Sequence, residues 1–136
     1  TLGTDQPGVE IRKRIRPNAR YVVGDRIQIQ QVLLNLIRNA REAVASVDNP
    51  AITIRSSRAD EDHVRVTVED NGVGFEDIGP RLFTAFSSEK TEGLGLGLSI
   101  SRTIIESHGG RIWIENLPAG GARVSFTLPA GEPAGD

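Results

Sequence analysis

Asn35 and Asn39 stand four residues apart, Glu42 follows three further on, and Gln28 precedes them. Helical spacing puts all four on one face of a helix. A carboxamide offers a carbonyl oxygen, which suits a hard cation such as Mg²⁺, and two N–H donors. This stripe borders the apolar face of the same helix, so half-buried amides bonded to neighbouring loops are a competing reading. A second group is Asp70-Asn71-Gly72-Val73-Gly74-Phe75. Asp70 alternates in phase with Val64, Val66 and Val68, so its carboxylate should point to the core side of a sheet. A carboxylate there is costly unless hydrogen-bonded. Placed at a strand end and followed by two glycines, it could form a pocket floor and accept a hydrogen bond from an exocyclic amine such as that of adenine. A capped turn after a hairpin strand is the plainer alternative.

A third group is Gly93-Leu94-Gly95-Leu96-Gly97-Leu98-Ser99, opening a helix, with Lys90 just before it. Glycines let successive N–H groups approach an anion at the positive end of a helix. The spacing is neither a P-loop nor a dinucleotide fingerprint, and a hinge before a helix is the alternative. Phe83 and Phe86 can seal a short helix against a core. His63 lies on a polar turn and His108 at a helix end, and neither has metal-ligand spacing.

The elements that must position these groups follow from periodicity. Val9 to Ile15 and Tyr21 to Val23 are candidate strands. From Asp25, a plausible N-cap, Ile29, Leu33, Leu36, Ile37, Ala40 and Val44 recur at helical spacing and predict a helix over roughly 25–46. Asp48-Asn49-Pro50 stops it. Strands carrying Ile52/Ile54 and Val64/Val66/Val68 form a hairpin across Ser56 to Asp62. Arg81 to Phe86 reads as a short helix or turn. A second long helix runs from near Gly95 to His108, closed by Gly109-Gly110, and a last hairpin joins Arg111–Glu115 to Arg123–Leu128. The expected fold is an α+β two-layer sandwich, with a mainly antiparallel sheet and helices on one face.

Composition bounds the function. The 136 residues make one domain of ordinary globular balance, 38% hydrophobic and 25% charged. No Cys excludes disulfides, thiol nucleophiles and thiolate metal sites. A net charge of −2 and 4% aromatic residues argue against a nucleic-acid-binding domain. No apolar run approaches a membrane span. The absence of Met, with Thr1 first, suggests a piece of a longer protein. Residues 1–8 are expected to be a flexible segment, 9–129 the domain, and 130–136 a disordered tail or linker.

Each group is modest alone, but their order is specific. An Asn-bearing helix, an Asp-x-Gly-x-Gly after a strand, a Phe pair and a Gly-x-Gly-x-Gly opening a helix resemble the ATP-binding catalytic domain of bacterial sensor histidine kinases. That is the GHKL ATPase superfamily, with its Bergerat α/β sandwich. Gln31 to Ala40 resembles the N box, Asp70 to Gly74 the first glycine box, Phe83 to Phe86 the F box, and Gly93 to Gly97 the second glycine box. Gly97 to Gly110 is similar to the subgroup around the oxygen sensor FixL and the nitrogen sensor NtrB. The likeness covers residues 9–129.

The resemblance implies ATP and Mg²⁺ as cofactors. It implies Asn39 as the Mg²⁺ ligand with Asn35 beside it, and Asp70 as adenine reader in a pocket shaped by Gly72, Gly74 and Phe75. Lys90 and the stretch Gly93, Leu94, Gly95, Leu96, Gly97 and Leu98 would hold the phosphates, and Ser87 to Glu92 would be a short lid. Glu42 stands where many members carry Lys, and Glu89 where the subgroup often has Thr, so Lys90 must carry more of the phosphate contact. The implied function is transfer of the γ-phosphate of Mg·ATP to a histidine on a separate dimerisation and phosphoacceptor domain, and through the parent to a response regulator. The isolated domain is expected to be monomeric, and the parent cytoplasmic or membrane-anchored. Two alternatives are an ATPase that hydrolyses with its own base and a degenerate module that only holds nucleotide or a partner. Hydrolytic relatives place Glu where this chain has Asn35, and intact boxes speak against the second.

Overall fold

The computed structural model describes residues 8–74 and 94–132, residues 94–97 by their backbone alone. Within them the chain runs β1 (Glu10–Ile15), α1 (Arg26–Ala43), β2 (Ala51–Arg58), β3 (His63–Asp70), α2 (Leu94–Ser107), β4 (Ile112–Asn116) and β5 (Ala122–Pro129). The Phe83/Phe86 pair and the short helix expected around it lie outside the described residues.

Asp25 starts α1 as its N-cap, its Oδ1 accepting from Gln28 N–H at 3.0 Å. Val32, Leu36, Ala40 and Val44, at successive turns, are buried. The helix ends at Ala43, earlier than the apolar period suggests, because Val44 already serves as its cap, and Asn49, at φ 54°, then redirects the chain toward β2. α2 closes on Gly109 at φ +81°, with Gly110 N–H donating back to the Ile105 carbonyl at 2.9 Å. That is the left-handed termination glycine supplies without steric cost.

The five strands form one sheet in the order β1-β2-β3-β5-β4. β2/β3 and β4/β5 are the expected hairpins, and β3 pairs antiparallel with β5. β1 runs parallel to β2. A parallel pair needs a long crossover, and α1 is that crossover. The sheet is therefore mixed and mainly antiparallel. One face buries Ile52, Val68, Ile114, Val124, Phe126 and Leu128 against Val32, Leu36 and Ala40 of α1 and Leu98, Ile104 and Ile105 of α2. This is the α+β sandwich the periodicity predicts.

Two local expectations are corrected. Tyr21 to Val23 is not a strand: only Val22 forms a single bridge, to Ala130, while Tyr21 and Val23 stay exposed. A 3-10 turn at Pro17–Ala19 precedes it. Ser56, expected in the hairpin loop, lies in β2, and its buried Oγ donates to the Ala19 carbonyl at 2.8 Å. Beyond β5, Ala130 N–H donates to the Asp62 carbonyl and Gly131 N–H to that of Tyr21.

Candidate nucleotide site

The end of β3, the last turns of α1 and the start of α2 meet at one end of the sandwich. Gly72 lies so close to the end of α1 that a Cβ there would collide with the Ala43 carbonyl and side chain. Val73 N–H donates to that carbonyl at 3.2 Å. The loop after β3 is thereby sealed onto α1 one turn beyond Asn39.

Asp70 is half-buried at the end of β3 on the helix-facing side. Its Oδ1 accepts from Gly72 N–H at 2.8 Å. Burial pushes its carboxyl above the usual 3.8, and the N–H groups of Gly72 and Ala122 offset this only in part. The carboxylate therefore keeps acceptor capacity at a site that penalises its charge. Gly74 has φ +79°, and a Cβ on it would meet Asn116 Oδ1 at 2.8 Å.

Asn39 is half-buried on α1, and its Nδ2 is buried with no hydrogen-bond partner. An amide can turn either end toward an opening, so Asn39 can present an oxygen to a cation or an N–H to a phosphate oxygen. Asn35 behaves differently. Its Nδ2 donates to Ser101 Oγ at 3.4 Å, and Ser101 is fully buried in α2. Asn35 thus couples the two helices, which sets the start of α2 near the Asn face of α1. Gly95 and Gly97 fall in the first turns of α2. The Leu98 side chain is fully buried in the core. Glu42 is exposed. Phe75, Lys90, Gly93 and the expected lid, Ser87 to Glu92, lie outside the described residues.

Two groups that shape this end were missed. Asn71 fastens the loop: its Oδ1 accepts from Ala51 N–H at 2.9 Å and its Nδ2 donates to the Asn49 carbonyl at 3.0 Å. Gly121, at φ +96°, admits the Asp70 carbonyl where any Cβ would overlap it. An amide directly after a strand-terminal Asp is the signal for Asn71, while Gly121 pairs across a turn that sequence alone does not register. The histidines lie elsewhere. His63 Nδ1 is 3.0 Å from the Asp60 carboxylate. His108 Nε2 accepts from Asp25 N–H at 3.0 Å and its Nδ1 faces the Ile104 carbonyl at 2.8 Å.

A half-buried carboxylate at a strand end thus lies beside an Asn-bearing helix and a second helix opening on glycines. The chain belongs to the histidine kinase-, DNA gyrase B- and HSP90-like ATPase family, whose model matches residues 24–132. Within that family its relatives include sensor kinases. It is 47% identical over 131 residues to the sensor protein FixL of Bradyrhizobium diazoefficiens, covering 96% of this chain and 26% of that protein. It is 41% identical over 111 residues to the C4-dicarboxylate transport sensor protein DctB of Rhizobium meliloti, covering 81% of this chain and 18% of that one. The chain thus spans between about an eighth and a third of the length of curated relatives such as these, 12% to 33%. Among solved structures, the catalytic domain of histidine kinase ThkA superposes with a TM-score of 0.77 at 37% identity, covering 90% of this chain and 81% of that one. Full-length ShkA in complex with AMPPNP superposes with a TM-score of 0.76 at 28% identity, covering 93% of this chain and 27% of that one. The chain is the histidine-kinase type of ATPase domain. Among the described residues no helix is long and apolar enough to cross a membrane.

Proposed function

We propose that this domain binds Mg·ATP and presents the γ-phosphate to a histidine on a separate phosphoacceptor domain of the same cytoplasm-facing parent, which passes it to a response regulator. The observation that carries the reading is Asp70: a half-buried carboxylate with spare acceptor capacity, held by Gly72 N–H at the mouth of the sandwich. An acceptor-only group there selects a ligand edge that donates, as the adenine amine does. ShkA, which shares the fold, was solved with AMPPNP.

Asn39 fits a magnesium ion that arrives with its nucleotide. Among the described residues no cluster of three His, Asp or Glu could hold a metal by itself. One carboxamide oxygen is a small share of an octahedral set, and phosphate oxygens and water would complete it. The ion, when bound, would neutralise phosphate charge. The protein's part is orientation: Asp70 fixes the base, Asn39 and the N–H groups at the start of α2 bind the charged end, and Lys90 adds a point charge. Phosphoryl transfer asks chiefly for such positioning and electrostatics. No residue is assigned as a base for water: the position where hydrolytic relatives carry Glu is Asn35, whose carboxamide is not basic and whose Nδ2 donates to Ser101.

Calorimetry decides the first half of this reading. ATP is expected to bind with a clear preference over GTP, whose base presents a carbonyl where adenine carries its amine. Equal binding of both nucleotides, or of neither, would overturn it.

A further inference from the structure

The two faces of the sheet differ. One is covered by the helices. By strand alternation the other carries Glu10, Arg12 and Arg14 of β1, Thr53 and Arg55 of β2, and Arg65, Thr67 and Glu69 of β3. It also carries Arg123, Ser125 and Thr127 of β5 and Trp113 and Glu115 of β4, with Arg111 leading into that strand. Six arginines therefore face three glutamates, on a chain whose net charge is −2.

The glutamates are committed. Glu10 pairs with Arg12 at 2.9 Å, and Glu69 bridges Arg55 at 3.5 Å and Arg123 at 3.3 Å. Glu115 takes Arg123 at 2.6 Å, which together with weaker help from Trp113 and Arg65 holds its carboxyl below the usual range. Arg14, Arg65 and Arg111 have no carboxylate at ion-pair distance among the described residues. Arg65 and Arg111 instead converge on one ring: each guanidinium lies 5.8 Å from the Trp113 centroid. Neither guanidinium has a carboxylate partner among the described residues, so the N–H donors of both can take carboxylate oxygens beside the ring. Beside them Thr67 is only 7% exposed, and its Oγ1 is buried without a hydrogen-bond partner.

We propose that this open face, centred on Arg65, Trp113 and Arg111, docks a carboxylate-rich segment of a partner protein. Carboxylates would take the two guanidiniums and the Trp113 ring would supply the apolar contact. Aromatic and arginine side chains side by side are the usual composition of such anchors. The interspersed Glu10, Glu69 and Glu115 set a charge pattern that a protein surface can match residue by residue. A nucleic-acid backbone, with its closely spaced phosphates, asks for an unbroken basic track. A membrane would need exposed apolar residues, and the large ones, Ile15, Tyr21, Val23, Ile27, Leu34 and Val73, are not among the residues of this face.

The test uses the whole chain and a fluorescein-labelled glutamate-rich peptide as probe, read by anisotropy at low and at physiological salt. Binding that weakens with salt is expected, with Kd raised about tenfold or more in Arg65→Glu/Arg111→Glu. Trp113→Ala should weaken binding several-fold. The neutral pair Arg65→Gln/Arg111→Gln guards against a folding defect, with circular dichroism as the check, and should lose binding too. ATP affinity should be unchanged in all three. No binding of the peptide, or equal binding by wild type and the charge-reversed chain, would overturn the proposal. So would tighter binding of a single-stranded oligonucleotide or anionic vesicles, or self-association in sedimentation that the same substitutions abolish.

Discussion

At the scale of single residues, the proposed site would set affinity against stability. The folded Asp70 carboxyl titrates above its ordinary 3.8 because burial disfavours its charge. Between that value and the raised one the folded chain holds more protons than the unfolded one. Stability from this group is therefore present at low pH, falls as pH rises through the window, and stays reduced above it. Asp70→Asn removes the charge and keeps an oxygen for Gly72 N–H. We expect its melting temperature at neutral pH to be no lower than that of wild type, with any advantage vanishing in acid. The same change opposes an amide donor to the adenine amine, which should cost about 2–4 kcal/mol of ATP affinity. A folded Asp70→Asn chain with wild-type ATP affinity in calorimetry would remove Asp70 from the site. Asn39→Ala makes a separable prediction. It deletes one oxygen ligand and relieves a buried unpaired amide, so nucleotide binding in Mg²⁺ should drop more than binding in EDTA. Parallel shifts in the two conditions would show that Asn39 is not a ligand.

Between elements, the contacts that matter are the ones that hold α1, α2 and the β3 loop together, and these were the least legible in the sequence. The strands and helices themselves could be read because burial repeats with their period: Val32, Leu36 and Ala40 for α1, Val64 and Val68 for β3. The parallel pairing of β1 with β2 could not, since alternation reports a face and not a direction. Asn39 and Asp70 were singled out because polar groups on apolar faces stand out. Asn71 and Ser101 did not, because each acts through a partner far away in the chain. His108 is the clearest such case. Read at a helix end with no further role, it joins the C-terminus of α2 to the N-cap of α1. Its Nε2 accepts from Asp25 N–H while Nδ1 faces the Ile104 carbonyl, an arrangement that one neutral tautomer satisfies at both ends. It also packs on Gly24, where a Cβ would meet its ring at 2.7 Å. His108→Ala should therefore cost about 1–3 kcal/mol in urea denaturation by leaving the Asp25 N–H without its partner and removing the ring packed on Gly24, while the Ile104 carbonyl keeps the His108 backbone N–H and the Ser107 hydroxyl. A change below about 0.5 kcal/mol, the usual range for surface positions, would show the link to be incidental.

Across the whole molecule, the same placement decides where the phosphoryl group can go. Asp70 ends β3 and His63 begins it, so seven steps of about 3.3 Å separate them, roughly 23 Å. His108 follows α2, whose other end carries the glycines, so fourteen residues at about 1.5 Å put it roughly 20 Å away. Both histidines therefore stand at the opposite end of the sandwich from the proposed nucleotide site. His63 is also beside the Asp60 carboxylate, and both nitrogens of His108 are occupied. A phosphoacceptor must come within about 3–3.5 Å of the γ-phosphate, in line with the departing oxygen. Bringing either histidine there would mean unzipping β3 from β2 and β5, or pulling α2 off the core formed by Leu98, Ile104 and Ile105. We therefore expect the chain alone, incubated with γ-labelled ATP and held at alkaline pH to preserve phosphohistidine, to acquire no stable label. Adding a histidine-bearing phosphoacceptor domain should produce label on that domain, and Asp70→Asn should suppress it. Stoichiometric label on the chain by itself, lost in His63→Ala or His108→Ala, would place the acceptor inside this domain and refute transfer in trans.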